Sequence, residues 1–322
     1  MAIPTLPPPV VVNGLNHLPG PSAAAFDAEF AGILPPGDTI PSSWGSTRYY
    51  DFSPGPTATG QRRIILIHGA GTPAIGLAPL AYSLKAAGSN HVVIYDIWGH
   101  GCSSTPLATH TPALYHTQLL ELLARLQWTR VHLVGYSFGG VIATTFTARH
   151  SATVASLSIA AAPGLWQRAE RSFVQAIVEE GGWGLEWLSQ RRILSRLGMG
   201  DGPREGWQQR WRDQSIMDTN AVEQWERAQH PGHVATLVSS LRHGGVYDAH
   251  AAFRAVADSD VPTLAFYGER DGVVLATRSQ ADLRALGWRG EVVVFPGAGH
   301  PVVRERVPEM TELLGKFWHD LE

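Results

Sequence analysis

The chain has 322 residues, 44% hydrophobic and 16% charged, with a net charge of −3, which is the balance of an ordinary globular protein long enough to bury a large core. So weak a negative charge, without Lys/Arg clusters beyond short helical surfaces, excludes the field that would gather nucleic acid or anionic lipid. No apolar run approaches the ~20 residues that cross a bilayer, and the single Cys102 excludes an intrachain disulfide and suits a reducing compartment.

The first segment, Met1-Ala2-Ile3-Pro4-Thr5-Leu6-Pro7-Pro8-Pro9, has neither the basic region nor the uninterrupted apolar stretch of a signal peptide, so a cytoplasmic protein without membrane insertion is expected. Residues 1–44 read as an N-terminal extension, a Pro-rich arm that wraps the core or frays in solution. From there strand-like and helix-like segments alternate. Strands are predicted at 47–52, 62–67, 91–97, 130–135 and 154–160, then at 261–267 and 291–295, with helices at 78–87, 113–127, 138–150, 277–286 and 308–321. That alternation implies an α/β fold, a mostly parallel sheet covered by helices on both faces. Between 164 and 257 the alternation stops. This stretch is helix-like and rich in tryptophan, with Trp166, Trp183, Trp187, Trp207, Trp211 and Trp225. Such rings must be buried in the interior of that stretch or in the roof of a pocket.

The chemistry concentrates where strands end. Gly135-Tyr136-Ser137-Phe138-Gly139 follows the apolar run Val131-His132-Leu133-Val134 and precedes a helix-like stretch, giving strand, sharp turn and helix. A serine hydroxyl is a poor nucleophile until it is lifted from the backbone, reached by a base and faced by oxyanion donors. Glycines two residues to either side permit the turn that does this. Upstream, the strand at 62–67 ends in His68-Gly69-Ala70-Gly71, where small residues let an amide approach a bound oxygen. The amides of Ala70 and Phe138 are the expected oxyanion hole. Downstream, one strand runs into Gly268-Glu269-Arg270-Asp271 and the next into Pro296-Gly297-Ala298-Gly299-His300. Of the acids after residue 257, only Glu269 and Asp271 lie just past a strand end, and the position of Asp271 suits a group that must turn back toward a histidine. His300 is the candidate base; His319, on a terminal helix among charged neighbours, reads as a surface residue.

These segments resemble the α/β-hydrolase family, in particular its capped serine members such as esterases, perhydrolases and meta-cleavage carbon-carbon hydrolases. The resemblance implies His68-Gly69 as oxyanion loop, Ser137 as nucleophile, Asp271 as acid and His300 as base, in the family's chain order. It further implies a helical cap inserted after the sixth strand, over 164–257, on a core formed by 45–163 and 258–322. Asp96-Ile97-Trp98-Gly99-His100-Gly101-Cys102-Ser103 is similar to the family's D-x-R-G-x-G-x-S loop, with Trp98 where arginine is usual.

The expected activity is hydrolysis of a carboxylic ester or lactone of a hydrophobic small molecule through an acyl-enzyme. Two alternatives are carbon-carbon hydrolysis of a vinylogous diketone and a weakly hydrolytic small-molecule receptor. Gly69, Gly71, Tyr136, Trp166, Trp183 and Trp187 are expected to line the substrate. No cofactor and no metal are expected, because His230, His233, His243 and His250 repeat no zinc spacing and Gly69 and Gly71 lack the dinucleotide spacing. A homodimer is compatible with the sequence.

Overall fold

The computed structural model describes residues 16–53, 61–180, 186–196, 204–214 and 217–322. Eight strands form the central sheet: β1 (Gly37–Ser42), β2 (Gly45–Phe52), β3 (Arg62–Ile67), β4 (Asn90–Tyr95), β5 (Val131–Tyr136), β6 (Val154–Ala160), β7 (Thr263–Gly268) and β8 (Glu291–Phe295). Their spatial order is β8-β7-β6-β5-β3-β4-β2-β1, parallel from β8 to β4 and antiparallel at the β4–β2 and β2–β1 pairings. The fold is that of an α/β hydrolase. The strands read as continuous apolar runs because both of their faces are covered. Ile65, Ile67, Val93, Tyr95 and Leu133 join one core cluster, while Ile64, Leu66, Val92, Ile94 and Val134 join the cluster on the other face. Period-two alternation thus feeds two cores.

Helices α1 (Ala23–Phe30), α2 (Ala78–Ala86), α3 (Pro112–Leu126) and α4 (Phe138–Thr147) precede the long connection between β6 and β7. That connection carries α5 (Phe173–Glu180), α6 (Glu186–Arg196), α7 (Trp207–Gln214), α8 (Thr219–Gln229), α9 (His233–His243) and α10 (His250–Ala257). The chain closes with α11 (Ala276–Ala285), α12 (Val302–Glu305) and α13 (Val307–His319). No helix among the described residues is long and apolar enough to cross a membrane.

Two expected boundaries move. The extension drawn over 1–44 is not separable from the core, because 37–42 is β1, paired residue for residue with β2 from Gly37↔Tyr50 to Ser42↔Gly45. Ahead of it, Ser22 caps α1 by accepting a hydrogen bond from the Ala25 amide at 3.1 Å. Phe26 and Phe30 then project from one face of α1 onto Trp225 and Trp207, with ring centroids 5.4 and 5.5 Å apart. At the other end, α10 packs on α4 and its Phe253 belongs to the main core cluster, so the boundary drawn at 257 falls after a helix that is seated on the core.

Candidate active site

The register of the sheet sets the site. Ile67 is level with Tyr95 on one side and Gly135 on the other, so the residues that follow these strands share one edge. Ser137 lies there with φ +50° and ψ −120°, a backbone conformation that side-chain-bearing residues rarely adopt. Its amide donates to Ala160 O at 2.8 Å, which fixes the turn. The flanking glycines are sterically required. A Cβ on Gly135 would stand 2.4 Å from Gly139 O, and one on Gly139 would stand 2.1 Å from Ile67 O. Strand and helix therefore cross too closely for any side chain.

His300 Nε2 lies 3.1 Å from Ser137 Oγ, and His300 Nδ1 lies 2.8 Å from Asp271 Oδ2. Asp271 is 3% exposed, and its other oxygen accepts two amides, Val273 N and Val274 N, each at 2.8 Å. A carboxylate so held can only accept from the imidazole, so Nδ1 carries the proton and Nε2 presents its lone pair to the serine hydroxyl. Glu269, the rival acid, is exposed and accepts the Gly297 amide at 2.8 Å. It ties two loops together and does not meet His300.

Phe138 opens α4, where its amide has no intrahelical acceptor. Gly69 touches the nucleophile, since a Cβ there would stand 2.9 Å from Ser137 Cβ and 3.2 Å from the Tyr136 ring. The loop that carries Gly69, Ala70 and Gly71 is held from behind by two histidines. His68 Nε2 accepts the Ile97 amide at 2.9 Å, so its Nδ1–H donates to Gly69 O at 2.7 Å. Burial lowers the His68 pKa to about 4, which keeps that ring neutral. His100 Nε2 accepts the Gly71 amide at 3.3 Å, and burial drives its pKa well below the ordinary value.

The tryptophans divide. Trp166 bridges to Tyr247, with 5.8 Å between ring centroids, and lines a cavity of about 280 Å³ together with Val273 and Val274 of the acid loop. Trp187, expected to line the substrate, is 63% exposed on α6. Trp183 lies outside the described residues. Tyr136 is buried, its ring centroid 5.5 Å from that of His300.

Sequence reasoning missed the buried polar joint between the inserted helices and the loop at 96–103. His233 Nδ1 lies 3.0 Å from both Glu226 Oε2 and Gly99 O, and Glu226 Oε1 accepts the Gly101 amide at 2.7 Å. Burial disfavours the His233 imidazolium, but the Glu226 charge and the two hydrogen bonds overcome this and raise its pKa. The only cue in the sequence was a His and a Glu seven positions apart on neighbouring helices.

A parallel sheet with a strained serine turn at its carboxyl edge, and a buried acid and histidine arriving from the last two strands, defines a class of α/β enzymes. Residues 64–311 match the alpha/beta hydrolase family, and the chain belongs to it. Among curated relatives, the dihydrolipoyllysine-residue acetyltransferase component of the acetoin cleaving system of Pseudomonas putida is 24% identical, matching 80% of this chain and 64% of the relative's length. The 2-hydroxymuconate semialdehyde hydrolase of Pseudomonas sp. (strain CF600) is 23% identical over 79% of this chain and 86% of its own. Two solved structures share the fold. A membrane phospholipase A superposes with TM-score 0.68 at 21% identity, covering 93% of this chain and 90% of the other. The enol-lactonase from Burkholderia xenovorans LB400 gives 0.64 at 19%, covering 88% and 100%.

Proposed function

We propose that this chain is a serine hydrolase that cleaves a carboxylic ester or lactone through an acyl-enzyme on Ser137. One observation carries the reading: the unbroken line from Ser137 Oγ through His300 to a carboxylate oxygen of Asp271, at 3.1 and 2.8 Å, beginning on a strained turn. In this reading His300 Nε2 takes the hydroxyl proton as Oγ bonds to the carbonyl carbon. The amides of Ala70 and Phe138 bind the resulting oxyanion, each contributing about 3 kcal/mol. The imidazolium then protonates the leaving alcohol, and a water activated by His300 releases the acid. The inserted helices, from about 164 to the start of α10, serve as the cap, with Trp166 at one wall.

The similarity to a 2-hydroxymuconate semialdehyde hydrolase supports a second reading, carbon-carbon hydrolysis by the same groups. Fluorophosphonate labelling with peptide mapping tests the nucleophile without assuming a substrate. Label on the Ser137 peptide, lost in Ser137→Ala, is the expected result; label elsewhere, or none, refutes the proposal. Short p-nitrophenyl esters and lactones against a chromogenic meta-cleavage product then separate the two bond types.

A further inference from the structure

Behind the nucleophile is a cation that the proton line does not use. Arg304 stands four residues after His300 on α12, and its guanidinium carbon is 5.4 Å from the centroid of the Tyr136 ring. The same ring is 5.5 Å from His300 and abuts Gly69. Arg304 is thus one aromatic ring away from both the base and the oxyanion loop. It is half-buried, and among the described residues it forms no salt bridge. Two carboxyl groups in its surroundings have other partners. Glu305 Oε2 accepts the Gly299 amide at 2.7 Å, and Glu223 Oε1 accepts the Thr72 hydroxyl at 3.3 Å. The Arg304 guanidinium is hydrogen-bonded to the Tyr136 hydroxyl and feels the Glu223 carboxyl, but no carboxylate among the described residues reaches it at salt-bridge distance, which leaves a half-buried cation able to take an anionic ligand.

Arg304 also lines a cavity of about 960 Å³ that reaches Pro301, the residue after His300. Arg204, Arg210 and Arg212 line it too, against two carboxylates, Asp218 and Glu305. Asp218 is committed on both oxygens, since its Oδ1 accepts the Asn220 amide at 3.0 Å to cap α8 and its Oδ2 accepts the Arg204 amide at 2.8 Å beside Arg210. Arg210 is paired with Asp218 at 3.7 Å and Arg212 donates to Gln209 at 2.8 Å, so of the lining cations Arg204 and Arg304 supply the charge that the two carboxylates leave unmatched in a space of ligand size.

We infer that Arg304 and this arginine-lined cavity form an anion subsite that holds a carboxylate or phosphate group carried by the substrate. The inference rests on Ser137 being the nucleophile of a hydrolase, and it refines the purely hydrophobic ligand expected from the tryptophan content. The substrate has an apolar body and one anionic end. Burial pushes Glu223 up to about 7 even though Arg304 works to lower it, so near neutrality this carboxyl only partly offsets the guanidinium.

The test has a kinetic arm and a binding arm, with Arg304→Gln, Arg304→Met and Arg304→Lys all verified by thermal melting. In the first arm, kcat/KM is measured for a matched pair, neutral p-nitrophenyl butyrate and anionic mono-p-nitrophenyl succinate. The anionic-to-neutral ratio falls at least about tenfold in the Gln and Met variants, mainly through KM, and recovers in part with Lys, as expected for loss of one charge-assisted hydrogen bond. A ratio unchanged within about twofold overturns the inference. In the second arm, Ser137→Ala protein is titrated with butyrate and with butyl phosphate, which requires no turnover. Binding weakened at least about tenfold by Arg304→Gln in that background supports the subsite, and the tighter anion identifies the group. Failure of both anions to bind overturns it. If binding succeeds while every ester is left intact, the subsite stands and the hydrolase reading falls.

Discussion

Asp271→Asn replaces one oxygen by an NH2 group and leaves the shape unchanged, yet the structure dictates which way the amide must face. Val273 N and Val274 N both donate to Oδ1 at 2.8 Å, so the carbonyl oxygen of Asn must occupy that position and its NH2 must point at His300 Nδ1. Nδ1 then has to accept. Its proton moves to Nε2, where it faces Ser137 Oγ across 3.1 Å and can no longer receive the hydroxyl proton. The imidazole is held in the wrong tautomer, and the expected loss in kcat is about ten-thousand-fold, a barrier rise of about 5 kcal/mol. The assay is kcat/KM on p-nitrophenyl butyrate together with the rate of fluorophosphonate labelling, both of which collapse while the melting temperature stays close to the parent's. Asp271→Asn retaining a tenth or more of parent activity refutes the reasoning. So does an equal loss in Glu269→Gln, because Glu269 serves the Gly297 amide.

Ser137→Ala and Ser137→Gly both abolish turnover, but the glycine variant is the more stable by about 1 kcal/mol, because glycine occupies φ +50° without a Cβ penalty. Scanning calorimetry that ranks them the other way contradicts strain at the turn. Trp225→Ala removes a ring packed against Phe26 and Phe30 and costs about 3–5 kcal/mol in urea unfolding; a loss below about 1 kcal/mol would mean that α1 is not seated there. Glu223 has a folded-state pKa of about 7 against an ordinary 4.5, so the folded chain holds this proton more tightly than the unfolded one. Its contribution to stability is present below about pH 4.5 and is lost as pH rises toward about 7, at most about 3 kcal/mol. Glu223→Gln flattens that decline in denaturation measured at about pH 5 and about pH 7.5, and an unchanged slope assigns it to other groups.

The strands were legible because burial on both faces writes an apolar run, as in Arg62–Ile67 and Val154–Ala160. The serine turn was legible because close backbone crossing demands glycine at 135 and 139. What escaped was structure set by pairing or packing. Gly37–Ser42 reads GDTIPS, with Gly, Asp and Pro that disfavour strands, and it forms only as an edge whose single partner is β2. The α1 segment is flanked by proline, and its eight residues gain their stability from Trp207 and Trp225, nearly two hundred positions away. The same contact explains the tryptophans, for amphipathic spacing does not say which surface a ring meets. Asp271 was preferred over Glu269 from its place past the strand end, and the loop adds what the sequence does not show, that Glu269 is turned to the Gly297 amide.

The departure at Trp98 follows from how its loop is held. An arginine at that place could anchor the loop by its charge, whereas here the side chain is wholly buried and the backbone does the anchoring. Trp98 N donates to Gln118 Oε1 at 2.9 Å, Cys102 N to Asp96 Oδ2 at 3.0 Å, and Gly101 N to Glu226 at 2.7 Å. From the inserted helices, His230 reaches Ser103 O at 2.9 Å and His233 reaches Gly99 O at 3.0 Å. The same loop carries His100, which accepts from Gly71, and it receives His68 through the Ile97 amide. The inserted helices and the amide-bearing loop beside Ser137 are therefore joined by a continuous chain of hydrogen bonds. Such bonds have defined lengths and directions, unlike apolar contacts, which slide, so they hold the loop that carries Ala70 in register with α8 and α9.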